Sequence, residues 1–345
     1  MNAPHSTIDR KNNFDFLRLL FSTLVIFSHS YTLTNHPEIL SKVTKEHISL
    51  GNISVDVFFV ISGFLIFISL KYSKSASNYI WKRLLRLYPA LFVLLLITLL
   101  IIPWVYTGKD LISEKSFWTY LPKGLSLYRV QFHINGVFEI NPYPNSINGS
   151  LWSLAYEFTM YLFVLFFFFI RNKKEAFHIM ILCFIITYYF NCNTPLNQQM
   201  IFQMIHLDIN QFYRLSTYFI SGCVLSFLNF ERIKHLWIIK TASLIVLLIA
   251  IYLGDYKYVA PIVMPILVIS LGLSFSKALN FIPSNLGDIS YGVYIYGFLV
   301  QQVLMYFFRI GPIQLTIASI FITYILAYLS WHYIESRFLK FKNHI

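Results

Sequence analysis

Residues 87–106 read LYPALFVLLLITLLIIPWVY, an apolar run with no charged side chain. At ~1.5 Å of rise per residue, one helix of this length crosses the ~30 Å hydrocarbon core of a bilayer. Runs of the same kind lie on either side, at 14–33, 50–70, 150–170, 176–191, 212–229, 236–253, 259–275, 289–308 and 313–334. The expected fold class is therefore all-α, a polytopic integral membrane protein with about ten transmembrane helices. Residues 1–345 read as a single membrane-embedded domain, with no appended soluble domain.

Composition agrees. The chain has 345 residues, 57% hydrophobic and 12% charged, with a mean hydropathy of +0.61. A soluble domain carries ~25% charged residues to cover its surface. The 34 Phe, 24 Tyr and 6 Trp suit interfacial belts and helix faces packed in lipid. A net charge of +12 would suit nucleic acid, but no basic domain stands apart from the apolar runs. The excess instead follows the positive-inside rule. With a cytoplasmic N-terminus, Arg10, Lys11, Lys71, Lys74, Lys82, Arg83, Arg86, Arg171, Lys173, Lys174, Arg232, Lys234, Lys277, Arg337, Lys340 and Lys342 lie inside. These outnumber the basic residues outside by about two to one, so both termini are expected in the cytoplasm. A largely polar stretch runs up to Asn13 and no small-residue cleavage site follows the first run, so a cleaved signal is not expected. Cys183, Cys192 and Cys223 lack a metal-binding or disulfide spacing, and no metal is expected.

Ionisable side chains inside apolar runs are costly, at least ~2.5–3.5 kcal/mol each, and ask for a reason. Arg18 and His29 are eleven residues apart, within ~20° of three whole helical turns, so they share one face at depths ~16 Å apart. Counted from the outer end of its run, His29 lies ~6 Å deep, Asp56 ~9 Å and Glu157 ~10 Å, one expected layer. A His beside a carboxylate gains basicity and a fixed tautomer, as a general base for a hydroxyl proton requires. Each residue also has a plainer role open to it: His29 as an interhelical hydrogen bonder, Arg18 snorkelling, Glu157 pairing for packing, Asp56 at a helix entry. Trp81-Lys-Arg-Leu-Leu-Arg-Leu-Tyr-Pro89 sets Arg83 and Arg86 on one helical face, suited to gripping phosphate or to anionic headgroups and topology.

Taken together, the residues resemble the acyltransferase-3 family of membrane-bound O-acyltransferases. Arg18 and His29 match its R-x(10)-H arrangement, and Asp56-Val-Phe-Phe-Val-Ile-Ser-Gly-Phe-Leu65 its second-helix signature. Arg83-Leu-Leu-Arg-Leu-Tyr-Pro89 resembles its Arg-rich loop, and Ser150-Leu-Trp-Ser-Leu-Ala-Tyr-Glu-Phe-Thr-Met-Tyr161 its W-S-L-x-x-E segment. Ile289-Ser-Tyr-Gly-Val-Tyr-Ile-Tyr296 resembles its late S-Y-x-x-Y segment, and Glu335 stands where a terminal Glu is usual. One position departs: Gly297 follows where many members carry a His.

The resemblance implies transfer of an acyl group, most often acetyl, from cytosolic acetyl-CoA as co-substrate. The acceptor would be a hydroxyl of a lipid-linked or surface saccharide such as O-antigen or capsule, at a bacterial cytoplasmic (inner) membrane. His29 is then expected as base or acyl relay, aided by Glu157 or Asp56. Arg18, Arg83 and Arg86 would bind the donor, and Trp152, Ser153, Tyr291, Tyr294 and Glu335 are further site candidates. A transporter or flippase of lipid-linked sugars is the alternative, since transporters also bury charge at membrane depth.

Overall fold

The apolar runs become helices at nearly the expected places. The structure, a computed structural model, describes residues 12–44, 48–144, 146–193, 206–228, 230, 233 and 235–343. Arg10, Lys11, Arg232 and Lys234 lie outside the described residues. The long elements are α1 (Phe14–Leu33), α2 (Ile39–Val43), α3 (Leu50–Lys71), α4 (Ala76–Val105), α5 (Lys115–Leu125), α6 (Trp152–Leu165) and α7 (Lys174–Cys192). They continue with α8 (Ile209–Leu225), α9 (Leu236–Leu253), α10 (Tyr256–Gly272), α11 (Lys277–Leu286), α12 (Ser290–Phe307) and α13 (Pro312–Ser330). Among the described residues no strand forms, only an isolated bridge between Tyr106 and Val137.

Among the described residues six helices are long and apolar enough to cross a membrane: α1, α3, α4, α7, α9 and the run Pro312–Lys342 that contains α13. The expectation of about ten therefore exceeds what length and apolarity support. Helices α6, α8 and α10 are short, at 14, 17 and 17 residues. Helix α12 is long enough, but its inward face carries Tyr291, Tyr294, Tyr296, Gln301 and Gln302, which lower its hydropathy. Polar residues of this kind are kept where a helix serves an interior rather than lipid.

Helix α3 is the centre, packed against α1, α6, α8 and α10. It meets α8 backbone to backbone. A Cβ on Gly63 would lie 1.9 Å from the Phe219 carbonyl oxygen, and one on Gly222 would lie 2.2 Å from that of Val60. Small residues allow such approach, and close packing is what binds helices that lipid solvates equally well. Conversely Leu244, Ile245, Leu248 and Ile249 of α9 are exposed, as lipid-facing side chains should be.

The segment 107–149 is not a surface loop throughout. Helix α5 descends along α4 until a Cβ on Gly124 would touch Leu95, ten residues and thus ~15 Å below the end of α4. The Tyr128 hydroxyl bonds the Thr159 hydroxyl in mid-α6 at 2.9 Å. The chain then rises and returns: Asn148 donates to the Ile295 carbonyl at 2.7 Å, inside α12. Irregular backbone at this depth is tolerated only within protein or beside a water-filled cavity.

Candidate functional site

A cavity of about 750 Å³ opens at the end of the bundle that carries the Arg-rich turn of α4. Arg18, Lys82, Arg83, Arg86 and Lys342 line it, with Glu157 as its acidic group. Along α3 it runs from Ser69 to Val55, fourteen residues or ~21 Å, so it is a slot that is basic at one end and aromatic at the other.

The two arginines of the turn have different surroundings. Arg86 Nη2 bonds Asp288 at 2.6 Å and its Nη1 lies 3.8 Å from Glu335. Arg18 also approaches Asp288, at 3.8 Å. Arg83 instead donates to the Ser69 hydroxyl at 3.0 Å and lies 5.6 Å and 5.9 Å from the ring centroids of Tyr79 and Tyr161. Among the described residues Arg83 makes no ion pair, unlike Arg18 and Arg86 beside it.

Two local distortions hold the acidic side of this cluster. Gly287 has φ +79°, and a Cβ there would strike the Trp331 indole nitrogen at 2.1 Å, so this turn requires glycine and delivers Asp288 to Arg86. Residues Trp331–Glu335 form a π turn, a rare departure that re-aims the end of α13 and carries the buried Glu335 toward Arg86. Burial pushes the Asp288 carboxyl up, but Arg86 and Arg18 outweigh it and hold it below the usual Asp range.

Deeper in the slot, Glu157 accepts from the Ser62 hydroxyl at 3.3 Å and from the Tyr161 hydroxyl one turn later on α6. Ser153 and Tyr294 share a hydrogen bond at 2.7 Å, and the Tyr291 hydroxyl donates to the Leu87 carbonyl at 3.0 Å. Trp152 points elsewhere: with Ala155 and Tyr156 it lines a second cavity, about 1010 Å³, on the far side of α6.

His29 lies beyond the slot. Its ring meets Phe298 edge-on at 5.2 Å, one turn past Tyr294, which is among the last residues of the slot. Its Nδ1 is buried without a hydrogen-bond partner. Arg18 and His29 thus stand at two depths of α1, one in the basic mouth and one past the aromatic end.

The expected layer of His29, Asp56 and Glu157 does not form. A Cβ on Gly51 would contact Ser28, which sets His29 level with the start of α3, whereas Glu157 bonds Ser62, eleven residues or ~16 Å further along. The depth count assumed that residue 150 lies at the membrane surface. The returning segment enters α6 already level with Ile295, so Glu157 sits much deeper. Asp56 turns toward α8, where Arg214 Nε lies 3.6 Å away, while His29 turns toward α12. Neither carboxylate orients His29 in this structure.

Gly297 also has a structural account. A Cβ there would lie 2.8 Å from Ile26 Cγ1, so glycine lets α12 lie close against α1 and leaves no room for a larger side chain. Asp288, Lys82, Lys342, Ser62 and Tyr161 were not singled out as site residues from the sequence. Ser62, Lys82 and Tyr161 stand inside the motifs quoted above, Tyr161 one helical turn after Glu157, whereas Asp288 and Lys342 carried no local signal. Among the described residues no group of three or more His, Cys, Asp or Glu could hold a metal.

Residues 11–332 match the family model of the acyltransferase-3 domain, described as an acyltransferase domain. The chain is 28% identical over 335 residues to a protein of Shigella phage Sf6 named O-acetyl transferase, with 96% of each chain covered. It is 28% identical over 355 residues to Nodulation protein 10 of Rhizobium leguminosarum bv. viciae, covering 96% of this chain and 94% of the relative. No solved structure matches.

Proposed function

The chain belongs to the acyltransferase-3 family and is a multi-pass membrane transferase, and from this premise we propose that it moves an acetyl group from acetyl-CoA to a saccharide hydroxyl. The observation that carries the donor half is the slot: five basic side chains at its mouth and an aromatic stretch behind them. Phosphates of the donor bind Arg83, Lys82 and Lys342, with Arg18 and Arg86 completing the basic rim. Arg suits this task because its fixed fork of donors matches phosphate oxygens. The acyl-bearing arm extends along Phe58, Leu87 and Tyr291 toward Ser153 and Tyr294.

His29, one turn beyond, then takes the acceptor proton or relays the acyl group. The partnerless Nδ1 supports this role, because a buried polar atom left unpaired in a folded protein calls for an explanation. As general base, the imidazole accepts the hydroxyl proton while the new ester bond forms and the thioester carbon–sulfur bond breaks. The thiolate leaves as free coenzyme A, taking up a proton. The acceptor is a lipid-linked or surface saccharide such as O-antigen or capsule, approaching from the face opposite the slot mouth. The basic mouth opens to the cytoplasm of a bacterial inner membrane, with about ten helices crossing as one domain, the shorter and more polar ones held inside the bundle, and both termini inside.

The test is calorimetric titration of acetyl-CoA into the protein in nanodiscs, with wild type and Arg83→Ala. Saturable binding weakened in the variant supports the reading, and no binding at millimolar donor to folded wild type overturns it.

A further inference from the structure

Several buried polar atoms that the transfer chemistry does not use converge on one small cavity. It holds about 230 Å³ between the far ends of α3 and α8 and the start of α10. Asp56, Arg214, Gln211, Tyr256, Tyr218 and Asn52 line it. Asp56 Oδ1, Arg214 Nε and Nη2, Gln211 Oε1 and the Tyr256 hydroxyl are all buried without a hydrogen-bond partner. Asp56 is itself 3% exposed. Leaving a buried polar group unsatisfied costs ~1–3 kcal/mol, so such a concentration of atoms without a protein partner calls for an occupant that bonds them.

The chemistry of the set selects the ligand. Asp56 and Gln211 offer acceptors, Arg214 offers donors, and the tyrosine offers both. Asp56 and Arg214 lie close enough, 3.6 Å, to offset each other's charge. The remaining cation of the lining, Lys257, is exposed and donates to the Cys192 carbonyl at 3.2 Å, so the buried part of the pocket suits a neutral ligand better than an anion. Alternating donors and acceptors over a compact volume with tyrosine rings alongside match the hydroxyls and ring faces of one sugar residue. The cavity holds the equivalent of roughly seven waters, which limits it to about one such residue.

Its connections fit an acceptor. Gln211 lines both this pocket and the 1010 Å³ cavity bounded by Trp152, Tyr156 and Arg129. The segment 127–132 lines that larger cavity as irregular backbone, an arrangement suited to a water-filled entry. A saccharide entering there reaches the polar pocket at one end. Because α3 stands between Asp56 and His29, the pocket holds a residue of the saccharide other than the one that reacts.

We propose that the Asp56–Arg214 pocket is a specificity subsite for a neutral hexose-type residue of the acceptor, remote from the reacting hydroxyl. This rests on the saccharide acceptor of the proposed function. Binding energy from such a remote residue can be used to orient the reacting hydroxyl.

The experiment is saturation-transfer NMR of the methyl glycosides of glucose, galactose, mannose and rhamnose with the full chain in nanodiscs. Wild type is compared with Gln211→Ala, Tyr256→Phe and Asp56→Asn. Since the Gln211 oxygen and the Tyr256 hydroxyl have no partner, the first two variants lose no protein contact at those atoms and keep the wild-type melting temperature. The expected result is a signal from at least one glycoside in wild type, weakened about three- to tenfold in these variants, the worth of one hydrogen bond. No signal from any glycoside in wild type, meaning a pocket for water only, overturns the proposal. Undiminished signal in Gln211→Ala and Tyr256→Phe overturns it equally. Acetyl-CoA titration on the same samples reports the donor half independently, so failure there is separable from failure of the pocket.

Discussion

Replacing Arg83 or Arg86 by Ala should give two different phenotypes, although sequence spacing makes the two residues equivalent. Arg86 neutralises Asp288 at 2.6 Å and faces Glu335 at 3.8 Å, and Glu335 is 1% exposed. Its removal strands Glu335 and leaves Asp288 only the longer Arg18 contact, 3.8 Å, in a poorly solvated site. Breaking a buried pair in this way costs about 3–5 kcal/mol. With an unfolding entropy of ~2.1 cal/mol/K per residue, a chain of 345 residues loses on the order of 5 °C in Tm. Arg83 leaves no carboxylate behind: it gives up one bond to Ser69 and two ring contacts, together about 1 kcal/mol. Its Tm should move by less than about 2 °C. Donor binding should show the converse selectivity. Loss of a charge-assisted bond to phosphate, about 1.5–3 kcal/mol, weakens acetyl-CoA by roughly 10- to 150-fold in a still-stable Arg83→Ala. The assay is differential scanning fluorimetry beside calorimetry on the same nanodisc samples. An Arg86→Ala protein that melts like wild type would refute the role assigned to its two carboxylates. An Arg83→Ala protein that keeps wild-type donor affinity would refute the assignment of its free charge to the ligand.

Three other outcomes are expected. His29→Ala should abolish acyl transfer while keeping donor binding and Tm, and transfer at the wild-type rate would remove His29 from the mechanism. Gly63→Leu should prevent the α3–α8 contact, since even a Cβ would lie 1.9 Å from a backbone oxygen; size-exclusion chromatography should show aggregate or no protein, and a monodisperse, active variant would contradict that packing. Because the folded-state pKa of Asp288 is depressed, its stabilisation is complete above the ordinary Asp value and is lost as pH falls through the folded value. The wild-type Tm should therefore drop on acidification below about pH 4, and Asp288→Asn should show a smaller drop. Identical acid limbs would mean that Asp288 does not report the pair.

Much of the site was legible wherever its logic is local to one helix. Arg18 and His29 fall on one face because the helical period fixes it, and in the structure they stand at two depths of that stripe. Arg83 and Arg86 likewise share a turn and open on the same cavity. The family motifs pointed to Ser153, Glu157, Tyr291 and Tyr294, and all four line the slot. The misplacements arose where a position depends on how the chain arrives. Glu157 was counted from a membrane surface that the chain has already passed when α6 begins, and no periodicity in 107–149 announces a re-entrant path. Asp56 was assigned to His29 because both sit near the outer end of their runs, but its nearest cation, Arg214, belongs to a helix far along the chain.

The sequence by itself determined the solvent of this protein and the class of its secondary structure. Apolar length measured against bilayer thickness needs no knowledge of neighbours, and backbone in lipid has few ways to satisfy its hydrogen bonds. Tertiary structure alone decided which charges neutralise each other and which are left without an ion-pair partner. Arg83 and Arg86 differ only through Asp288 and Glu335, which a glycine turn and a π turn bring in from the end of the chain. Electrostatic pairing depends on distances of a few ångströms between helices, and the pattern along any one helix carries no record of them.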